Sequence, residues 1–251
     1  MRVVASIEAR MTSSRLPGKV LMDIAGTPAL TRLVARLRRC TTLDAIVLAT
    51  TLNAADDVLA DWAAQAGIEA FRGSEEDVLG RVVGAQRSCA SEVVVEITGD
   101  CILTDPQIVD MGVKTFFEND CDVVSNARKR AYPMGINVQV FRLADLAHVA
   151  ATVDDPAVRE HVSLYFYEHP ELYRIIHLLP PPRWEDPECR TQLDYPEDLA
   201  FLNAVYERLE PVYGEGFGIE ELMALLAAEP ALREINRHCA ERSPRPPAAR
   251  R

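Results

Sequence analysis

The run Glu92-Val93-Val94-Val95-Glu96-Ile97-Thr98-Gly99-Asp100-Cys101-Ile102-Leu103-Thr104-Asp105-Pro106 decides the fold class. Residues 92–97, dominated by valine and isoleucine, read as a β-strand. Thr98-Gly99 turns the chain. Asp105 and Pro106 then supply an N-cap and a first-turn proline for a helix over 105–117. A strand feeding a helix through a short turn is one half of a β-α-β unit.

The same rhythm extends outward. Residues 3–7 read as a strand, and 28–39 as a helix with Leu30, Leu33, Val34 and Leu37 on one face. A strand at 45–49, a helix at 54–66 closed by Gly67, a strand at 68–71 and a helix at 75–89 with Ser74 as N-cap follow. Another strand is expected at 121–125. The pattern implies an α/β fold: a mostly parallel sheet with helices on both faces. Ligands in such sheets bind at the carboxyl ends of strands, which selects the loops after Ile7, Thr50 and Ile97.

The cadence breaks near residue 126. Strands at 136–141 and 173–179 bracket a helix at 156–168, which suggests an inserted lobe over about 127–180. Pro180–Pro182 enforces an extended link, and helices at 196–209 and 219–228 return to the sheet. The expectation is one domain over 1–241, followed by a disordered basic, proline-rich tail at 242–251.

The 251 residues are 48% hydrophobic and 26% charged, an ordinary globular composition. Apolar runs such as 46–49 and 93–95 are far too short to span a bilayer. No apolar stretch of signal-peptide type follows Arg2, so a cytoplasmic protein without membrane partners is expected. Six cysteines contain no C-x-x-C pair, which argues against structural zinc and for reduced thiols. Cys101 reads as a small buried residue. A net charge of −11 disfavours nucleic acid as a partner. Residues 1–39, however, carry eight Lys/Arg against two acids, so the charge is locally positive, as suits a small anionic ligand.

That cationic stretch centres on Ala9-Arg10-Met11-Thr12-Ser13-Ser14-Arg15-Leu16-Pro17-Gly18-Lys19-Val20, directly after the first strand. Backbone N–H groups of such a loop can form an anion nest, with arginine forks and a mobile lysine beside them. The combination suits a triphosphate. It is not a Walker loop: Ser13 stands six positions before Lys19 where glycine is required, and Val20 follows the lysine where Ser or Thr is required.

The string EARMTSSRLPGKVLMDIAGTPAL resembles the N-terminal motif of the CMP-sugar synthetases. These include the acylneuraminate and 3-deoxy-manno-octulosonate cytidylyltransferases, and the spore-coat-polysaccharide branch is the nearest likeness. FRGSEEDVLGR, VVVEITGDCILTDP, YPMGINVQVF, REHVSLYFYEHPE and QLDYPEDL extend the likeness in order over roughly 2–205. The resemblance implies a Rossmann-like nucleotidyltransferase fold, a homodimer, and magnesium-dependent transfer of CMP from CTP with release of pyrophosphate. It places Arg10, Ser13, Arg15 and Lys19 on the triphosphate, with Lys19 and Arg10 acting catalytically beside Asp100. Ala9 and Thr50 would lie near the base. Arg72, Ser74 and Asp77 would form the base and ribose wall, although Asp77 equally suits a helix cap.

Magnesium takes hard oxygen ligands. Asp100, after the turn Thr98-Gly99, sits where the sheet rule puts a ligand, and Gly99 leaves the nucleotide room to approach. Asp194 taken alone reads as a helix cap before Pro196. The resemblance instead implies that Asp194 is the second metal carboxylate. Asp105, Glu197 and Asp198 read as helix-start charges.

On the acceptor side, the resemblance points to Asn137, Arg159 and His161. Relatives more often carry aspartate where Asn137 stands; the neutral amide would suit a multiply anionic acceptor, such as a phosphonate instead of a sugar acid. Asn137 could equally be a plain strand residue, and His161 a structural one. Arg128, Lys129 and Arg130 add cations nearby. Arg183 and Arg190 compete for the family's basic position near Asp194. Two other functions compete: a nucleotide-sugar-dependent glycosyltransferase, for which Gly99-Asp100-Cys101-Ile102 lacks the usual Asp-x-Asp, and a non-catalytic nucleotide-binding regulator.

Overall fold

The computed structural model describes residues 1–241 and 243–245; residues 242 and 246–251, most of the expected tail, lie outside the described residues. Among the described residues nine strands occur in order: β1 Val3–Glu8, β2 Asp23–Ile24, β3 Thr27–Pro28, β4 Ala45–Thr51, β5 Glu69–Gly73, β6 Val93–Thr98, β7 Val123–Ser125, β8 Gln139–Arg142 and β9 Ile175–His177. The α-helices are α1 Ala29–Leu37, α2 Asp57–Ala66, α3 Val78–Ser88, α4 Pro106–Glu118, α5 Leu143–Thr152, α6 Pro156–Glu160, α7 Leu164–Glu168, α8 Pro196–Tyr213 and α9 Ile219–Ala228.

Seven strands form one sheet in the order β5-β4-β1-β6-β8-β7-β9, while β2 and β3 make a separate hairpin. β8 alone runs against its neighbours β6 and β7; the other pairings are parallel. The sheet is therefore mixed but mostly parallel. The segment expected as an inserted lobe contributes β8 and β9 to this same sheet.

The central strands have period 2, so their residues alternate between two cores. Val3, Ala5, Ile7, Val93, Val95 and Ile97 join α1, α4 and α8 on one side. Val94, Val123 and Phe141 join α3, α5 and α7 on the other. Among the described residues, no helix is long and apolar enough to cross a membrane.

The connection leaving β1 leads to β4 on one side of it, whereas that leaving β6 leads to β7 on the other. The strand order reverses there, and the crevice between the carboxyl ends of β1 and β6 is the natural ligand site.

Several local expectations change. Helix α3 is capped by Asp77, whose carboxylate accepts from the Gly80 amide at 2.8 Å; Ser74 instead accepts from the Asp77 amide at 3.1 Å. The helix expected over 156–168 is two five-residue helices, α6 and α7, parted at His161 where the backbone turns extended. The strand expected over 136–141 begins its ladder only at Gln139, because the Asn126 side chain substitutes for a strand partner. Its Nδ2 donates to the Ile136 carbonyl at 2.7 Å, and its Oδ1 accepts from the Val138 amide at 2.8 Å.

The N-terminal cations also divide. Arg32 is fully buried, donating to the Ile24 carbonyl and to Glu210 and stacking over Tyr206. Arg36, equally buried, donates to the carbonyls of Thr104 and Phe217. These two hold α1 in place, leaving Arg10, Arg15 and Lys19 for the crevice.

Candidate active site

The loop after β1 is folded by its own backbone. Gly18 donates to the Met11 carbonyl at 2.9 Å and adopts a left-handed conformation, φ 73°, which glycine accepts without strain. A 3-10 turn at Lys19–Leu21 follows and points Lys19 inward. Buried Asp56 anchors the start of the loop: it accepts from the Met11 amide at 2.6 Å and from the Thr51 hydroxyl.

After β6, Gly99 lies against the end of β1. A Cβ there would stand 2.7 Å from the Glu8 carbonyl, so strand packing by itself requires glycine. Asp100 follows, and its carbonyl accepts from the Leu193 amide at 2.9 Å. This bond ties the loop bearing Asp100 to the one bearing Asp194, 94 residues away in the chain.

The two carboxylates converge on one ammonium. Lys19 Nζ lies 2.6 Å from Asp100 Oδ2 and 2.7 Å from Asp194 Oδ1. Arg15 also reaches Asp194, at 2.6 Å, and Thr98 donates to Asp100 at 2.8 Å. Burial by itself would raise the Asp100 carboxyl, but the charge and hydrogen bond of Lys19, with Thr98 and Gln192, hold it below the ordinary range. Burial would likewise lower Lys19, and the two aspartates outweigh it and raise the ammonium.

Arg190 completes the cluster from beneath. Its guanidinium donates to Asp194 at 2.9 Å and to Asp198 at 2.8 Å, with all three side chains buried. Asp198 also accepts from the amides of Asp194 and Tyr195 and from Asn236. Of the two candidate arginines, Arg190 thus holds the position beside Asp194. Arg183 lies on the surface with Glu220 and Trp184. Asp198 does more than start a helix, since it orients Asp194 through Arg190.

These groups open into a cavity of about 810 Å³. Ala9, Arg10, Ser13, Arg15 and Lys19 line it from the first loop, together with Thr98, Asp100, Asp194, Arg128, Asn137 and His161. The remaining predicted residues stand outside the lining. Thr50 is fully buried within β4. Arg72 donates to the carbonyls of Thr51 and Asn53 and pairs with Asp57. Ser74 and Asp77 serve the start of α3. Arg159 pairs with Asp77 at 3.2 Å and with Asp154 at 3.2 Å. Its guanidinium is occupied structurally and does not reach the cavity.

Residues 4–229 match the sequence profile of a family described as cytidylyltransferase. The chain belongs to that family. It is 35% identical to the spore coat polysaccharide biosynthesis protein SpsF of Bacillus subtilis over 211 residues, covering 80% of this chain and 85% of SpsF. It is 30% identical to the 3-deoxy-manno-octulosonate cytidylyltransferase of an Anaeromyxobacter species, covering 90% and 98% of the two chains. Among solved structures, a cytidylyltransferase from Leptospira borgpetersenii superposes with a TM-score of 0.87 at 27% identity, over 92% and 96% of the chains. A CMP:2-keto-3-deoxy-manno-octonic acid synthetase complexed with CTP shares the fold, with a TM-score of 0.63 at 16% identity and coverage of 83% and 99%. The chain is therefore an enzyme, of the nucleotidyltransferase class.

The cytidylyltransferase cavity also contains residues that the sequence reading missed. Glu8, Arg81, Glu96, Gln139 and Tyr167 line its inner end. One signal was available: Glu96 interrupts an apolar run in a strand that helices cover on both faces, where a charge is not expected without a purpose. His161 stands at the break between α6 and α7, half-buried, and burial lowers its pKa although Glu160 opposes this. The shift favours the neutral imidazole, which still offers one N–H donor and one acceptor nitrogen to a ligand.

Proposed function

We propose that this cytidylyltransferase transfers CMP from CTP to an anionic small molecule, a sugar acid or a phosphonate, and releases pyrophosphate. The observation that carries the reading is the convergence of Asp100 and Asp194 on Lys19 at the carboxyl edge of β1 and β6. Two hard carboxylates aimed at one point are a donor set that suits magnesium, and the lysine ammonium marks where a cation is stabilised. Asp100 and Asp194 are the residues that would hold the ion. When bound, magnesium would supply charge neutralisation at the phosphate oxygens.

The chain's own residues do the rest. Arg10, Arg15 and Lys19, with Ser13 and the loop amides, bind the triphosphate. In the structure these cations contact acids: Arg10 meets Glu75 at 3.1 Å, Arg15 meets Asp194, and Lys19 meets both aspartates. Nucleotide binding exchanges those partners for phosphate oxygens. An acceptor oxygen, either a phosphonate oxyanion or a hydroxyl that gives up its proton to solvent, attacks the α-phosphorus, a new P–O bond forms, and the bond to the bridging oxygen of the β-phosphate breaks, releasing pyrophosphate. Lys19 stabilises the charge that builds on the departing pyrophosphate. Asn137 and His161 hydrogen-bond the acceptor, and Arg128 at the rim attracts its anionic group.

The test is pyrophosphate release from CTP with magnesium against a panel of sugar acids and phosphonates. Release that requires both CTP and an acceptor supports the reading. CTP-independent turnover, or transfer of a sugar from a nucleotide-sugar, would overturn it.

A further inference from the structure

The inner end of the cavity is acidic, and the triphosphate reading leaves this unexplained. Glu8 closes β1, and Glu96 lies in β6; Glu96 is in register with Ser6, so the two carboxylates are diagonal neighbours on one face of the sheet. Both line the cavity. Glu96 is only 5% exposed. One of its oxygens accepts from Gln139 Nε2 at 2.9 Å, and Gln139 is itself held by the Tyr167 hydroxyl, which also meets Ser125. The amide relay fixes the direction of Glu96 without neutralising it.

Glu8 is barer still. Among the described residues its carboxylate accepts no hydrogen bond, and its Oε1 is shut off from solvent with no partner. The charge of Arg81 partly offsets the burial of Glu8, but its guanidinium hydrogen bonds go to the carbonyls of Ala49 and Ser74. Among the described residues, neither Glu8 nor Glu96 forms an ion pair, although both sit in a cavity wall whose outer rim carries Arg128, Arg130 and Arg245. Buried carboxylates left without a cation are costly, and proteins keep them where something else supplies the charge. At the rim Arg130 is paired with Glu241 and Arg245 with Glu168, whereas the two inner carboxylates have no such partner.

We infer that the acceptor is zwitterionic: it carries a protonated amine as well as an acid group, and Glu8 and Glu96 receive the ammonium. The chemical class is an amino sugar acid or an aminophosphonate. This deepens the cytidylyl-transfer reading and rests on it. Burial raises both carboxyls, Glu96 to about 8, with the Glu8–Glu96 repulsion adding to Glu8; an ammonium in contact would return both to the ionised form. Simple hydroxyl-bearing acceptors would leave the two acids without their partner.

The experiment uses matched probes. Affinity is measured by calorimetry for 2-aminoethylphosphonate against 2-hydroxyethylphosphonate, and for an amino sugar acid against its hydroxyl parent. The protein is saturated with magnesium and a non-hydrolysable CTP analogue. The expected result is an amine preference of about tenfold or more in at least one pair, because a charge-assisted contact replaces a neutral one. Glu96→Gln and Glu8→Gln should each reduce that preference, with the melting temperature confirming that the variants are folded. Parity within both pairs, preference for the hydroxyl, or no binding by any of the four probes overturns the inference. So does a Glu96→Gln variant whose amine preference is intact but whose magnesium requirement has risen, which would make the pair a cation site. The binding of CTP itself, measured without acceptor, is a separate arm: its absence would defeat the cytidylyl-transfer reading whatever the amine result.

Discussion

Replacing Lys19 with alanine probes the whole carboxylate cluster, and its effect can be worked from the structure. Lys19 is 8% exposed and lies 2.6 and 2.7 Å from two buried acids. At an effective dielectric near 20, each contact has a Coulomb attraction on the order of 6 kcal/mol, much of it offset by desolvation. Removing one partner of such a buried pair typically costs about 3–5 kcal/mol. Arg15 and Arg190 still hold Asp194, so Asp100 bears most of the loss. Although its loop lies at the surface, Lys19 is not a neutral site for the fold. The expected outcome has two parts. The ligand-free variant melts several degrees lower, and magnesium alone restores more of its melting temperature than it does for wild type, because Lys19 no longer competes for Asp100 and Asp194. Turnover at saturating magnesium and CTP falls about 100-fold or more, since no group replaces the ammonium on the departing phosphate. The assays are scanning calorimetry with and without magnesium and steady-state pyrophosphate release. A folded Lys19→Ala protein with near-normal turnover and no extra response to magnesium would refute the reasoning.

Four further outcomes are expected. Arg190→Gln leaves Asp194 and Asp198 without their shared guanidinium, so chemical denaturation should show a loss of about 3–5 kcal/mol, whereas Arg183→Gln on the surface should fall within about 1 kcal/mol of wild type. Glu96 has its folded pKa raised from 4.5 to about 8, so the folded state binds the extra proton and stability contributed by this group falls as pH rises from about 4.5 to 8; denaturation midpoints of Glu96→Gln across that range should decline less than those of wild type. Asp100, held low in the folded state, contributes stability above its unfolded pKa near 4 that is lost as pH falls further; Asp100→Asn should lessen acid sensitivity below about pH 4, read by circular dichroism. Finally, the sheet ends at β9 with Leu172 and Leu179 exposed beside it, an open edge that a second copy would cover. Light scattering should report about twice the chain mass of 27.9 kDa, and a monomer at micromolar concentration would contradict the expected homodimer.

The alternation of strands and helices in the first half of the chain was legible because it is written in local terms. Valine-rich runs, Asp105-Pro106 and Gly67 each act within a few residues, and the structure uses each as expected. What was not legible depends on distant partners. The backbone ladder of β8 starts late because Asn126, ten residues before Ile136, takes over its pairing with a side chain. The helix over 156–168 has one hydrophobic pattern, and nothing in that period marks the break that turns His161 toward the cavity. Asp77 and Arg159 are both of types that bind nucleotides and anions, yet they neutralise each other. The sheet rule singled out Asp100, and the family resemblance singled out Lys19 and Asp194; the structure brings the three side chains together, while the role of Asp198 in orienting Asp194 required seeing Arg190 between them. Glu8 escaped because a strand-end carboxylate normally faces water; Glu96, a charge inside the apolar run of β6, was a signal that went unused.

The central claim is that the α-phosphorus of CTP is the atom attacked. CTP labelled with ³²P at the α-position, incubated with the enzyme, magnesium and a turned-over acceptor, tests it directly. The account predicts that label passes into an acceptor–CMP conjugate, one conjugate for each pyrophosphate released, and that Asp194→Asn abolishes both. Label remaining in CTP while acceptor is consumed, or appearing only as free CMP, would contradict it.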